Sequence, residues 1–435
     1  MPSDETTIHQ AADFEHANFF RDKAIQDDPY DYFDWVRRQG PVWREPNHGV
    51  FMITGHPEAM QVYGDPATFP EHDLASGRFS SCNVVTGPFQ KFSEPIEGDD
   101  VTDVIVRCRH ELTFSDQLPA FDPPNHTAHR HLLMRLITPK NLKENEDFMW
   151  DYADVLIDRF VGDGTFEVVS QYAEPFTLTV VADLEGVPEA DHELFRDRLS
   201  TVHEHLEHKP LEFLYGKFSE YIADRRREPR NDILSGLANA KFPDGSTPEV
   251  SDAALLAANL FAGGQETTVR LLTFALRMLG ENPDLQQALR DDRDRIPNFV
   301  EETLRLESPL RTQFRMARVG TELGGVEIPA GGTLMLAPGM CNRDERVFPN
   351  PHTFDLGRVN ARQHIAFGHG IHTCAGAPLA RAEGRVTINR LLDRLGAIRI
   401  SESVHGPAGD RTYKYLPTFF LRGLQTLQVD FTALT

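Results

Sequence analysis

Phe367-Gly368-His369-Gly370-Ile371-His372-Thr373-Cys374-Ala375-Gly376 is the stretch on which the reading of the whole chain turns. A single cysteine follows a glycine-rich loop and precedes a helical pattern over 375–395. A thiolate suits such a helix start, because free backbone N–H groups and the positive end of the helix dipole stabilise negative charge there. Gly368, Gly370 and Gly376 carry no side chains, so the backbone can turn tightly and lie close against something flat. The pattern predicts a thiolate ligand held beneath a planar cofactor, with amides hydrogen-bonding to its sulfur. The plain alternative is a glycine-rich turn around an inert buried cysteine.

The bulk numbers fit a large globular protein. At 435 residues, length alone suggests two or three domains. Charged residues make up 25% and no low-complexity tract occurs. Cysteines 82, 108, 341 and 374 show neither metal-type nor disulfide-type spacing, which fits free thiols in a reducing compartment. Residues 1–21 are charged and lack an apolar run, so no signal peptide is expected. No window of about 18 uninterrupted apolar residues predicts a membrane span. The expectation is a soluble, cytoplasmic monomer. A formal charge of −22 argues against a nucleic-acid partner, since phosphate binding needs a basic surface.

Taken in order, residues 1–28 read as a loosely structured lead-in. A short helix is predicted from Tyr30 to near Gly40, then paired strands at 42–43 and 50–53 around a Pro46-Asn47-His48-Gly49 turn, then a helix over 56–63. Residues 71–119 are broken by Gly77, Gly87, Pro88, Pro95 and Gly98 and are predicted irregular. Pro123-Pro124 forces an extended approach to an amphipathic helix running through Leu142, with Asn125 as its N-cap. His126 and Arg130, four apart, share a face of that helix. Helical periodicity recurs at 150–160, 171–184 and 190–208. The longest pattern covers 251–279, with Ser251 as cap. Its middle, Ala262-Gly263-Gly264-Gln265-Glu266-Thr267, places two glycines where each costs about 1 kcal/mol relative to alanine. Close approach of a flat ligand would offset that cost, and a helix-packing notch is the plain alternative. Glu302 and Arg305 stand three apart on a further helix from Pro297 to Ser308.

These elements resemble the cytochrome P450 family. The cysteine stretch matches its haem-binding loop F-G-x-G-x-H-x-C-x-G at every fixed position. Asp122-Pro123-Pro124-Asn125-His126-Thr127 with Arg130 resembles D-P-P-E-H-T-x-x-R, with Asn125 in place of Glu. Gly263 to Thr267 completes [A/G]-G-x-[D/E]-T, and Glu302 with Arg305 matches E-x-x-R. The absence of Cys-x-x-Cys-His excludes a c-type attachment. The resemblance implies one mainly α-helical P450 domain over 1–435, with a smaller β-rich part built from both ends of the chain. It implies haem b, ligated by Cys374, with Ala262, Gly263, Phe367, Gly368 and Gly376 against the ring. His126, Arg130, Arg315 and His372 would hold the propionates. Glu302, Arg305 and Arg358 would be structural.

The implied reaction is insertion of one oxygen atom from O₂ into a C–H bond of a small lipophile (terpenoid or ionone-like, steroid or fatty-acyl). Thr267 and Glu266 would manage the protons. Substrate contacts are expected at Val84, Val85, Phe89, Phe261, Gly263, Leu310, Thr312, Pro417 and Thr418, with Arg311, Gln313 and Phe314 also lining the pocket. Electrons would come from NAD(P)H through a reductase and an iron–sulfur ferredoxin, docking on Arg130, Arg135, Lys140 and Lys143. Other readings are a peroxide-using enzyme of the same fold, which the intact Glu266-Thr267 pair opposes, and a non-catalytic haem sensor.

Overall fold

A helix of 32 residues, Val250–Glu281, runs through the molecule and sets the positions of most other elements. Its cap differs from expectation: Glu249, not Ser251, stands at the N-cap, and its N–H donates to Asp252 at 3.0 Å. The exchange places a side chain three residues on against the first turn, a capping box in acidic form. Asn282 and Pro283 end the helix. Around it pack Glu174–Glu185, Pro210–Arg227, Ile296–Leu306 and Ala377–Arg394, sharing one apolar core that includes Phe176, Leu271, Phe274 and Leu391. The computed structural model describes residues 11–65, 77–199 and 210–434.

The β part comes from distant pieces of sequence. One five-stranded sheet has the order Val42–Arg44, Phe51–Ile53, Thr333–Leu336, Gln313–Ala317, Phe79–Ser80. Its one parallel pairing joins Phe51–Ile53 to Thr333–Leu336; the others are antiparallel. A second sheet sets Gln428–Ala433 between Thr165–Glu167 and Leu395–Ile400. No helix among the described residues is long and apolar enough to cross a membrane.

Several local expectations need correction. Residues 11–28 are not loose: Phe14, Phe19, Phe20 and Ile25 are buried with Tyr32 and Phe33, and Phe19 stacks on Tyr32 at 6.0 Å. Residues 1–10 lie outside the described residues. Within the supposedly irregular stretch, Thr102–Cys108 is a helix, because Val101, Ile105 and Cys108 recur at helical spacing and are buried together. Asn125 is the first helical residue of Asn125–Leu133 and makes no cap hydrogen bond, since Pro124 occupies the cap position. That helix also stops early. A separate one, Pro139–Asp158, begins where Thr138 accepts from the Asn141 N–H at 3.1 Å and proline fills the first turn. The periodicity expected over 190–208 is realised as the helix His192–Leu199, and residues 200–209 lie outside the described part.

Candidate functional site

Cys374 sits one turn before the helix Ala377–Arg394. Its N–H donates to Phe367 O at 2.8 Å, which closes the loop. Gly370, at φ +71°, passes so close to the Tyr63 carbonyl that a Cβ would collide with it. Cys82, Cys108 and Cys341 are buried thiols, whereas Cys374 is exposed, although protein surrounds it. A sulfur both enclosed and exposed faces an internal gap. Burial raises the Cys374 thiol pKa, and amide hydrogen bonds from Gly376 and Ala377 and the charge of Arg130 oppose that rise. The amide donors expected of a thiolate cradle are therefore in place. Arg381 lies over the Phe367 ring at 4.7 Å and covers the loop from outside.

Beside the loop, four cationic or potentially cationic side chains gather with little to neutralise them. His126 and His372 face each other at 4.2 Å between ring centroids. His126 is buried, and neither ring nitrogen has a partner. Arg315 is buried, donates to the Phe314 carbonyl at 2.7 Å and lies over the Tyr63 ring. Arg130 donates to Thr373 O at 2.6 Å. The nearby carboxylate of Asp122 is already engaged by Ser80, the Ser81 N–H and Arg318. Burial, then Arg130, pushes His126 down to about 4, and burial, then Arg315, pushes His372 to about 2. A buried imidazole with no partner, set among cationic side chains that no free carboxylate neutralises, calls for an anionic partner. The two carboxylates of a haem fit this set, as the exposed Cys374 sulfur fits its iron.

On the long helix, the stretch around Gly263 is open. Gly263 is exposed and a Cβ there would meet nothing within 4 Å, whereas a Cβ at Gly264 would lie 3.1 Å from Val181 Cγ2. The two readings of the glycine pair thus divide: one glycine leaves room for a ligand, the other is a packing notch. Thr267 Oγ1 donates to Gly263 O at 2.6 Å, so its lone pairs are left for a donor in the gap. Glu266 is 40% exposed and pairs with Arg270 at 3.2 Å. Ala262 is partly exposed on the same stretch.

Glu302, Arg305 and Arg358 come together. Arg305 donates to Glu302 through Nε at 2.7 Å and Nη2 at 2.8 Å, and Arg358 Nε reaches Glu302 Oε1 at 2.9 Å. Arg305 also holds the carbonyls of Asn342, Pro351 and Thr353, which fixes the connection leading to the cysteine loop.

Expected substrate contacts divide. Val84, Val85, Leu310 and Thr418 are partly exposed, and Pro417 is exposed at the tip of a C-terminal hairpin. Phe89 packs on Phe419 at 5.3 Å, which joins the 84–89 loop to that hairpin. Phe261 is a correction: it is fully buried against Phe195 and Phe218. Thr312 is another, fully buried with its hydroxyl toward Phe419 O at 3.5 Å. Phe314 is likewise buried, among Phe20 and Phe419. Gln313 accepts from Tyr63 at 3.0 Å, and Arg311 is buried with all three guanidinium nitrogens unpartnered. The basic patch is narrower than expected, because Lys140 pairs with Glu144 and Lys143 with Asp147. Sequence reasoning missed Ser81, whose hydroxyl meets His372 Nε2 at 3.1 Å, and Arg270; neither belongs to a spaced motif.

Comparison with known proteins gives the family. The profile described as Cytochrome P450 matches residues 184–396. The chain is 32% identical over 404 residues to a putative cytochrome P450 126 of Mycobacterium tuberculosis, covering 88% of this chain and 91% of that one. It is 30% identical to the cytochrome P450 monooxygenase PikC of Streptomyces venezuelae, covering 92% and 91%. Among solved structures, the substrate-free form of Mycobacterium marinum cytochrome P450 CYP150A6 superposes with a TM-score of 0.90 at 48% identity, covering 97% of this chain and 100% of that one.

Proposed function

Since the chain belongs to the cytochrome P450 family, whose members bind haem b and act as monooxygenases, we propose that it hydroxylates a small lipophile with electrons delivered by a ferredoxin. When bound, the haem supplies reduction of O₂ and insertion of one oxygen atom into a C–H bond. The observation that carries the reading is Cys374: an enclosed yet exposed sulfur with backbone amides directed at it.

Each residue then has a task. Cys374 ligates the iron. His126, Arg130, Arg315 and His372 bind the propionates and fix the ring's orientation. Thr267 accepts a hydrogen bond at Oγ1 and passes protons inward, while Glu266, whose carboxylate is partly open to solvent, refills it. Val84, Val85, Leu310, Pro417 and Thr418 enclose the substrate, which is terpenoid or ionone-like, steroid or fatty-acyl. The molecule is one co-folded unit, a cytoplasmic monomer, and the ferredoxin docks on the Arg135 side of Asn125–Leu133.

The test uses the haem-loaded protein with a ferredoxin and its reductase. Lipophiles that shift the haem from low to high spin are turned over, and Thr267→Ala is compared with wild type. The variant should keep its haem while product per NADH falls and hydrogen peroxide rises. An unchanged product yield would overturn the role given to Thr267. Reversing Arg135 to Glu should slow reduction by the ferredoxin, and an unaltered rate would remove the docking site.

A further inference from the structure

Glu266 is not a free carboxylate. Arg270, one helical turn on, places Nη2 3.2 Å from Glu266 Oε1. The pair is lopsided: the carboxylate is 40% exposed, the guanidinium only 3%. Exposed pairs at this spacing contribute a few tenths of a kcal/mol. A guanidinium taken out of water needs more than that to hold it.

The C-terminal hairpin supplies the rest. Arg270 Nη1 donates to the Leu424 carbonyl at 3.4 Å. Gly423 lies directly on the arginine stem: a Cβ there would come to 2.7 Å from Nε and closer still to Cδ. Glycine is thus required at 423 for the arginine to stay where it is. Gly423 and Leu424 form the return limb of the hairpin, whose other limb is tied to them by the Leu416 N–H donating to Gly423 O at 2.9 Å and by the Tyr415–Leu424 bridge. Immediately beyond Leu416 lie Pro417 and Thr418. One continuous set of contacts therefore links the hairpin tip, through Gly423 and Leu424, to Arg270 and on to Glu266.

We propose that Arg270 is a positioning residue that holds the Glu266 carboxylate at the gap and couples it to the C-terminal hairpin, so that filling the pocket beside Pro417 and Thr418 adjusts the proton supply. Pressure on the tip moves the return limb. The guanidinium follows, because Gly423 leaves no slack, and the carboxylate it holds follows in turn. The proposal rests on the relay role given to Glu266 above.

The haem-loaded full chain and its Arg270→Gln, Arg270→Lys, Glu266→Gln and double Glu266→Gln/Arg270→Gln variants test it. β-Ionone, progesterone and dodecanoate serve as probes, and whichever gives the largest spin shift is turned over. Arg270→Gln should lower product per NADH by roughly threefold or more, in the range of couplings within one hydrogen-bonded network. Lysine should restore part of the loss, and the glutamine change should add nothing once Glu266 is Gln. A second readout is independent of turnover: the Leu416 amide should exchange faster with deuterium in Arg270→Gln, with or without haem. Equal losses in both Glu266 backgrounds, or unchanged exchange at Leu416, would overturn the coupling while leaving the relay intact. A Glu266→Gln variant with full product yield would instead sink the relay itself, and the coupling with it.

Discussion

At the scale of single residues, the adjacent glycines of the long helix make opposite demands. Nothing lies within 4 Å of a Cβ at Gly263, so alanine there should relieve the helix of glycine's backbone entropy, a gain of up to about 1 kcal/mol. At Gly264 the same methyl would press on Val181 Cγ2 at 3.1 Å, inside a packed helix seam, and overpacking of that kind costs about 1–3 kcal/mol. Thermal melting of the two single variants, both prepared without haem, should move in opposite directions. Matching losses would mean that both glycines serve packing alone. Residues of the first kind were legible in the sequence: Cys374, Gly263, Glu266 and Thr267 belong to patterns in which chemistry leaves few alternatives at fixed spacing. Ser81 and Arg270 were not. A serine hydroxyl meeting His372 and an arginine lying over Gly423 are products of tertiary approach, and no local spacing encodes them.

Among elements, the helix Ile296–Leu306 owes its junction with the region before the cysteine loop to one carboxylate. Glu302 is fully buried, accepts from both Arg305 and Arg358, and also takes the Asp355 N–H at 3.0 Å. Glu302→Gln would leave two buried guanidiniums facing an uncharged amide. Breaking a buried pair from one side costs about 3–5 kcal/mol. The variant's urea midpoint should fall accordingly, with haem retention falling in parallel, and a midpoint within error of wild type would show that solvent or other groups neutralise the arginines. Long periodic elements such as Val250–Glu281 were legible because burial on one side repeats over many turns. Thr102–Cys108 was hidden by brevity, with only Val101, Ile105 and Cys108 to mark its buried side. The packing of Phe20 was hidden for another reason: it lies against Phe314 and Phe419, far away in sequence.

For the molecule as a whole, the five-stranded sheet draws strands from 42–53, 79–80 and 313–336, which ties distant stretches of the sequence into one element. Its global stability should carry two opposed dependences on pH. Burial alone would raise Glu307, yet Arg422 and Arg277 hold it down at about 2; Glu301 is likewise held at about 2, by His364 and Arg381. Stability from such depressed carboxyls is present above about pH 4.3 and lost as pH falls through the folded value. Glu185 works the other way. It ends the helix Glu174–Glu185 fully buried, with both carboxyl oxygens unpartnered, and burial raises its pKa well above the usual carboxylate range. The folded state keeps that proton longer than the unfolded chain does, so stability is whole below about pH 4.3 and declines as pH rises toward the folded value. Glu185→Gln removes this one dependence and leaves the others untouched. The amide still has to be buried, so the absolute offset between variant and wild type can take either sign, but its slope cannot. Unfolding free energies measured from pH 4.5 upward should favour the variant increasingly, by as much as about 1.4 kcal/mol per pH unit, until the folded value is passed. Parallel curves over that interval would mean that Glu185 ionises normally inside the protein, with water or a shifted side chain supplying the partner its oxygens lack.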